Sequence, residues 1–394
     1  MNNQIKLAVA AALLAAASSA NAGITIPAGD WTLDIGGVVN AYYTSTKQTG
    51  TAPAGGLGGG TGTVSNITTG LLPNVLSFSG KTRQNDLDVA FTIAMNPGAS
   101  QSSALTGGSA AEHRQAFMTI GDASWGSVKL GKDLGIFGSD AILNDMTLLG
   151  VGAGAAALGT GTTTLGRIGT GYIYADWKSQ IAYTSPNWNG FSFTAGVTQG
   201  WNTKPFSTDP SLTTTLRGGD EPAFEGKASY AWAGDVSGKV WVSGFSQNVS
   251  STTLNLARAS AFDIGANVNL AGFGLTGYYY DGQGVGTTGT LVSGYTAAGA
   301  RRDSNGGYVQ GTYTIPNVAT KLGVSWGISK LDAANAADAA TNLVKENEMW
   351  TVGAYHPLTK HVNLVAEYSD VKATSQTNVE GKSKTASLGA ILFF

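Results

Sequence analysis

Over most of its length the chain alternates apolar and polar residues with period two, the mark of strands with one apolar and one wetted face. In WTLDIGGVVNAYYT, Trp31, Leu33, Ile35, Val39, Ala41 and Tyr43 share one face, and Thr32, Asp34, Asn40 and Tyr42 the other. DLDVAFTIAMN sets Leu87, Val89, Phe91, Ile93 and Met95 opposite Asp86, Asp88, Thr92 and Asn96. AFDIGANVNL, TKLGVSWGIS and HVNLVAEYS repeat the pattern. The rule predicts sixteen strands, near 31–44, 73–83, 86–96, 113–121, 124–132, 178–186, 190–201, 222–233, 236–250, 258–271, 272–282, 304–316, 319–331, 345–357, 360–372 and 383–394. Over Lys239–Gln247 either parity can be defended.

The connections alternate between tight and long. Arg83-Gln84-Asn85, Gly121-Asp122-Ala123, Pro186–Asn189, Ala233-Gly234-Asp235, Ala271-Gly272, Pro316-Asn317 and Leu358-Thr359 are short and built from turn formers. The others, such as Ser45–Leu72, Pro97–Glu112, Asn202–Glu221 and Gln283–Asp303, are long and rich in Gly, Thr, Ser and Ala. Sixteen antiparallel strands with both chain ends on one side require this division. Strands of about 9–11 residues cross a bilayer when tilted, and lipid offers no partner to an open edge, so such a sheet must close. A soluble barrel of this size could not fill its interior, whereas the small polar opposite faces suit a watery lumen. Trp31, Trp125, Trp188, Phe191, Trp232 and Phe394 gather at the short-turn ends, as an interfacial girdle would.

One stretch breaks the alternation: Asp133–Trp177, the third long connection. Within it SDAILNDMTLLG predicts a single short helix, with Ser139 as N-cap, Asp140 in the first turn and Gly150 as stop. Ile142, Leu143, Met146 and Leu149 fall on one face, and Asp140, Asn144 and Asp145 elsewhere.

Composition narrows the reading. Residues 1–22 have a basic start at Lys6, an apolar run from Leu7 to Ala17 and an Ala20-Asn21-Ala22 cleavage site, and so predict a cleaved export signal. Removing Lys6 with it leaves 22 basic against 25 acidic groups, a net charge of −3, which gives no electrostatic case for nucleic acid. With no cysteine, disulfides and thiolate chemistry are excluded. A mean hydropathy of +0.01 with 56 glycines and 12% charged residues fits two-faced strands better than a soluble enzyme. The histidines are His113, His356 and His361; the last two bracket a short turn without a third ligand or an ordered serine motif. The runs Gly55–Gly60 and Gly150–Gly161 lack the strand–helix setting and Gly-Lys-Ser/Thr of a phosphate loop. No cofactor and no metal are expected.

The chain resembles the Gram-negative general porin family, in its proteobacterial non-enteric branch, over essentially all of residues 23–394. RQAFMTIGDASWGSVKLGKD is similar to the family's fourth and fifth strands, with Gly131-Lys132 where a Gly-Arg pair is usual. SQIAYTSPNWNGFSFTAGV is similar to its sixth turn and seventh strand through Tyr183, Ser185, Pro186, Gly190 and Phe191. The terminal LGAILFF resembles the signal, ending in Phe394, that the barrel-assembly machinery recognises. The resemblance implies a homotrimer of sixteen-stranded barrels in outer-membrane lipid and lipopolysaccharide, passing small hydrophilic solutes. It also implies that 133–177 folds into each pore as a constriction loop.

In such a constriction, acidic groups on the loop face basic groups on the wall and set up a transverse field. The loop candidates are Asp133, Asp140 and Asp145; the wall candidates are Lys81, Arg83, Lys132 and Lys178. Parity turns Lys81, Arg83 and Lys178 to the lumen, but Lys132 shares parity with Val128 and Leu130, so its place rests on the resemblance. The Pro-Glu-Phe-Gly-Gly loop motif of enteric relatives is absent, and Ala182 stands where relatives often carry a base. The wall should thus be less positive than in strongly anion-handling porins, and the net charge of −3 points the same way, toward neutral solutes and weak cation preference. The alternatives are a substrate-selective channel on this fold, a plugged structural or adhesin barrel, and a barrel hydrolase using His356 or His361.

Overall fold

The computed structural model describes residues 23–98, 111–153, 163–201, 221–250 and 255–394. The signal segment 1–22 lies outside the described residues, as do 99–110, 154–162, 202–220 and 251–254 of the long connections. In chain order the strands are β1 (Ile24–Ala28), β2 (Trp31–Gly50), β3 (Gly62–Thr68), β4 (Val75–Gln84), β5 (Leu87–Pro97) and β6 (Ala111–Asp122). There follow β7 (Gly126–Leu134), β8 (Trp177–Thr184), β9 (Phe191–Thr198), β10 (Ala223–Trp232), β11 (Val236–Ser250) and β12 (Asn255–Leu270). The last six are β13 (Phe273–Gln283), β14 (Asp303–Thr314), β15 (Lys321–Leu331), β16 (Val344–Pro357), β17 (Val362–Ser375) and β18 (Glu380–Phe393).

Among the described residues, sixteen of these strands close an antiparallel ring in sequence order, from β2 and β4 round to β18. The seam joins β18 to β2, from Gly381↔Gly50 to Phe393↔Val38. Phe394 completes it by exchanging backbone hydrogen bonds with Gly37, and a side chain at Gly37 would collide with the Phe394 ring. The two short strands border β2: β1 pairs with its first residues and β3 with Tyr42–Gln48. Each predicted strand has its counterpart, because the period-two pattern and the turn chemistry agree everywhere but on β11. There Trp241, Ser243, Phe245 and Gln247 are buried on the inside and Val240 and Val242 exposed, which settles the parity.

The apolar faces point outward. Phe262 and Ile264 are 53% and 51% exposed, while Asp263 between them is 1% exposed. A soluble protein would invert this pattern; a lipid-facing wall requires it. Aromatic rings gather at the short-turn end, where Trp188 stacks on Phe191 at 6.1 Å, Tyr230 on Trp232 at 6.2 Å, and Trp31 tilts against Phe91 at 5.7 Å.

The main apolar cluster sits inside the barrel. Residues 135–176, between β7 and β8, bury Phe137, Ala141, Leu148, Val151 and Tyr172 against wall residues that include Tyr42, Phe245 and Tyr308. At roughly 1.5–3 kcal/mol for each large side chain buried, this packing is substantial. The expected single helix is two pieces: α1 (Ser139–Leu143) and a 3-10 turn (Met146–Leu149). Gly138, at φ 73°, takes the N-cap in place of Ser139, whose hydroxyl instead donates to the Ile136 carbonyl at 2.8 Å. The break comes at Asp145, whose carboxylate caps the second piece by accepting from the Thr147 amide and hydroxyl. Gly150 ends it, as the sequence implies. Leu71, Leu72, Leu291 and Tyr295, from the first and sixth long connections, are buried in the same cluster, which the alternation pattern did not indicate.

Candidate pore constriction

Two carboxylates on distant parts of the wall hold the inward loop, each by gripping two successive backbone amides. Glu225 on β10 accepts from Ile136 at 2.7 Å and Phe137 at 2.9 Å. Glu367 on β17 accepts from Val151 and Gly152, both at 2.8 Å, and from the Tyr355 hydroxyl at 2.6 Å. Bonds from backbone N–H to an ionised oxygen are about twice as strong as neutral ones. Both side chains are buried. Gly150 allows the loop to lie this close, since a Cβ there would run into the Glu367 carboxylate.

Between these tethers Asp140, in the first turn of α1, faces the wall. It accepts from Lys227 Nζ on β10 at 3.1 Å and pairs with Lys239 on β11. Burial alone would raise the Asp140 carboxyl, but the two lysine charges outweigh it and hold the group below the ordinary carboxylate range. Neighbouring strands repeat the pairing. Lys178 on β8 bonds Glu225, between the rings of Trp201 and Phe245. Lys129 on β7 bonds Asp133, which also accepts from Gln115 Nε2 at 3.0 Å. Four wall lysines thus meet three carboxylates at contact distance along β7–β11, so their field is short-ranged.

The expected site residues therefore divide. Asp140 and Lys178 lie where the loop meets the wall. Asp133 ends up within β7, just before the loop begins. Asp145 turns inward rather than to water: it accepts from Tyr172 at 2.9 Å and from the Arg167 amide, stapling the first half of the loop to the second. Burial, with the Asp145 charge added, pushes the Tyr172 hydroxyl well up, so it stays a donor. Arg83 sits at the short-turn rim between Asp88 and Asp122, both at 2.9 Å. Lys81, one inward position above it, is exposed. Lys132 follows its strand parity, and its Nζ donates to the His113 carbonyl at 2.9 Å, away from the loop.

Lys227 and Glu225 share an inward parity that the alternation of β10 could have supplied; Lys239 was hidden by the ambiguity of β11. Arg167 carried no signal. Its guanidinium is fully buried, donates to the Met349 carbonyl at 3.1 Å and occupies a niche left by Gly327. The glycine- and threonine-rich half of the loop is thereby pinned to β15 and β16. Among the described residues, no group of three or more metal-ligating side chains occurs.

A closed ring with an apolar outer band, a polar lumen and a tethered inward loop defines an outer-membrane channel. The model of the Gram-negative porin family matches residues 8–376, and the chain belongs to that family. Its place is therefore the outer membrane. No curated protein matches it by sequence. Among solved structures it is similar to the outer membrane channel DcaP of Acinetobacter baumannii, with TM-score 0.68 and 15% identity over 93% of this chain and 99% of that one. An anion-selective porin from Comamonas acidovorans gives TM-score 0.62 and 15% identity over 92% and 100%. The trimer form of OmpT of Vibrio cholerae gives 0.53 and 11% over 92% and 99%. At these identities the likeness is one of fold.

Proposed function

We propose that the protein is a passive diffusion channel for small hydrophilic solutes, admitting neutral molecules freely and favouring cations weakly, with no catalytic role. The inward loop carries this reading. Asp140 lies directly on Lys227 and Lys239, so it offsets one of their two charges at contact, and the single positive charge in excess is screened over too short a range to exclude either sign of ion. The slight cation preference follows the mature net charge of −3. We take the assembly to be a homotrimer, in keeping with the family resemblance and the trimer form of OmpT. Lipopolysaccharide and phospholipid would contact the outward apolar band, and the barrel-assembly machinery would read the strand that ends in Phe394.

Single-channel conductance and reversal potentials in planar bilayers test the reading. A folded protein that carries no current overturns it in favour of a plugged barrel. Asp140→Asn should lower the cation-to-anion permeability ratio about threefold, the factor that ~0.7 kcal/mol corresponds to, because Lys227 and Lys239 lose their counter-charge. An unchanged ratio removes Asp140 from the constriction.

A further inference from the structure

We propose that the short-turn half of the lumen holds a binding site for an uncharged polyhydroxylated ring, a hexose or short oligosaccharide. A cavity of about 420 Å³ lies there, within the span of small-molecule sites. It lies, open on one side, between the inward loop and the inner faces of β11–β15, beside the turns at Asp235 and at Ala271-Gly272.

The two sides of this cavity differ in chemistry. The loop side offers Leu143, Met146 and Leu149, an apolar shelf. The wall side offers amides and hydroxyls already ordered by a chain of hydrogen bonds. Asn269 Nδ2 donates to Asn267 Oδ1 at 2.6 Å, and Asn267 Nδ2 to Thr276 Oγ1 at 2.8 Å. From the next strand, Gln310 Nε2 donates to the Asn144 carbonyl of the loop at 2.6 Å, so wall and loop are linked across the cavity. Among the described residues, Asn269 Oδ1 and Thr312 Oγ1 take part in no hydrogen bond, and both belong to residues of the lining.

A sugar ring has this same division: hydrogen-bonding groups round its edge and C–H groups on its face. Its hydroxyls would exchange water for the amides one bond for one, at little net cost. An ion would gain less, because the charges of the lining are Asp235, Lys321 and Asp145, and the Asp145 carboxylate is already taken up by Thr147 and Tyr172, so lost hydration would not be repaid. The site deepens the channel reading and depends on it for its place on a solute's path.

The test is calorimetric titration of maltose into the refolded full-length mature protein in detergent, with a polyethylene glycol of matched size as control. Saturable millimolar binding of maltose alone is expected. Asn267→Ala and the near-isosteric Thr312→Val should each weaken it at least fivefold, with heat-modifiable gel migration showing that the barrels are folded. No saturable binding, equal binding of the glycol, or binding unchanged in both variants overturns the site. Bilayer conductance, measured in parallel, separates the two readings. Current without saturable binding overturns the site and keeps the channel; binding without current keeps the site and overturns the channel.

Discussion

The two glutamates that tether the inward loop make the same grip in different electrostatic settings. Glu225 holds the amides of Ile136 and Phe137 and also neutralises Lys178, which among the described residues has no other carboxylate partner. Glu367 holds the amides of Val151 and Gly152 with the Tyr355 hydroxyl beside them and, among the described residues, no ion-pair partner. Geometry alone would rank them as equals. Their surroundings say otherwise: loss of the first strands a buried charge, and loss of the second strands only dipoles.

The largest effect should therefore come from Glu225→Gln. With Lys178 only 4% exposed, the variant should lose about 3–5 kcal/mol of stability in urea unfolding followed by tryptophan fluorescence. Adding Lys178→Met should recover most of that loss, because the stranded charge goes with it. Glu367→Gln comes next. Its one carbonyl oxygen can still accept from both amides, as Glu367 Oε2 does, but as a neutral acceptor, and the change should cost about 1–3 kcal/mol. If it equals or exceeds Glu225→Gln, charge is not what separates the two tethers.

Asp140 gives the comparison a pH axis. Its folded carboxyl is held below the ordinary value of 3.8, so its stabilising contribution is complete above that value and disappears as pH falls through the lower, folded one. The stability difference between the wild type and Asp140→Asn should stay level from neutrality to about pH 4 and narrow only below it. A difference that fades between pH 7 and 5 contradicts the double lysine pairing. The smallest effect belongs to Lys132→Gln. Among the described residues its ammonium bonds the His113 carbonyl alone, so conductance should not change and stability should move by no more than about 0.5 kcal/mol.

Much of the wall is legible in the sequence, because a strand with lipid on one side and water on the other has to alternate. Where both faces carry mixed residues, as over Lys239–Gln247, the pattern loses its meaning. Lys239 was accordingly missed, although it sits on Asp140. The inward loop was visible as an interruption, and Asp140 as a charge in a first turn. Its division in two was not, because the capping power of Asp145 competes with helix continuation and neither outcome is written in the periodicity. Glu225 and Glu367 look like ordinary lumen carboxylates in the sequence. What sets them apart is a pair of backbone amides brought from 88 and 216 residues away.

The seam between β18 and β2 has a consequence for how the molecule comes into being. Thr46 and Thr385, side by side across it, are separated by 339 residues of chain. Contacts so remote in sequence repay their loop-closure entropy last and slow the whole process. Until Phe394 reaches Gly37, every partial sheet has two raw edges that hydrocarbon cannot solvate. Insertion strand by strand is therefore uphill at each step. The pairing of β18 with β2 should accordingly be among the last contacts to form.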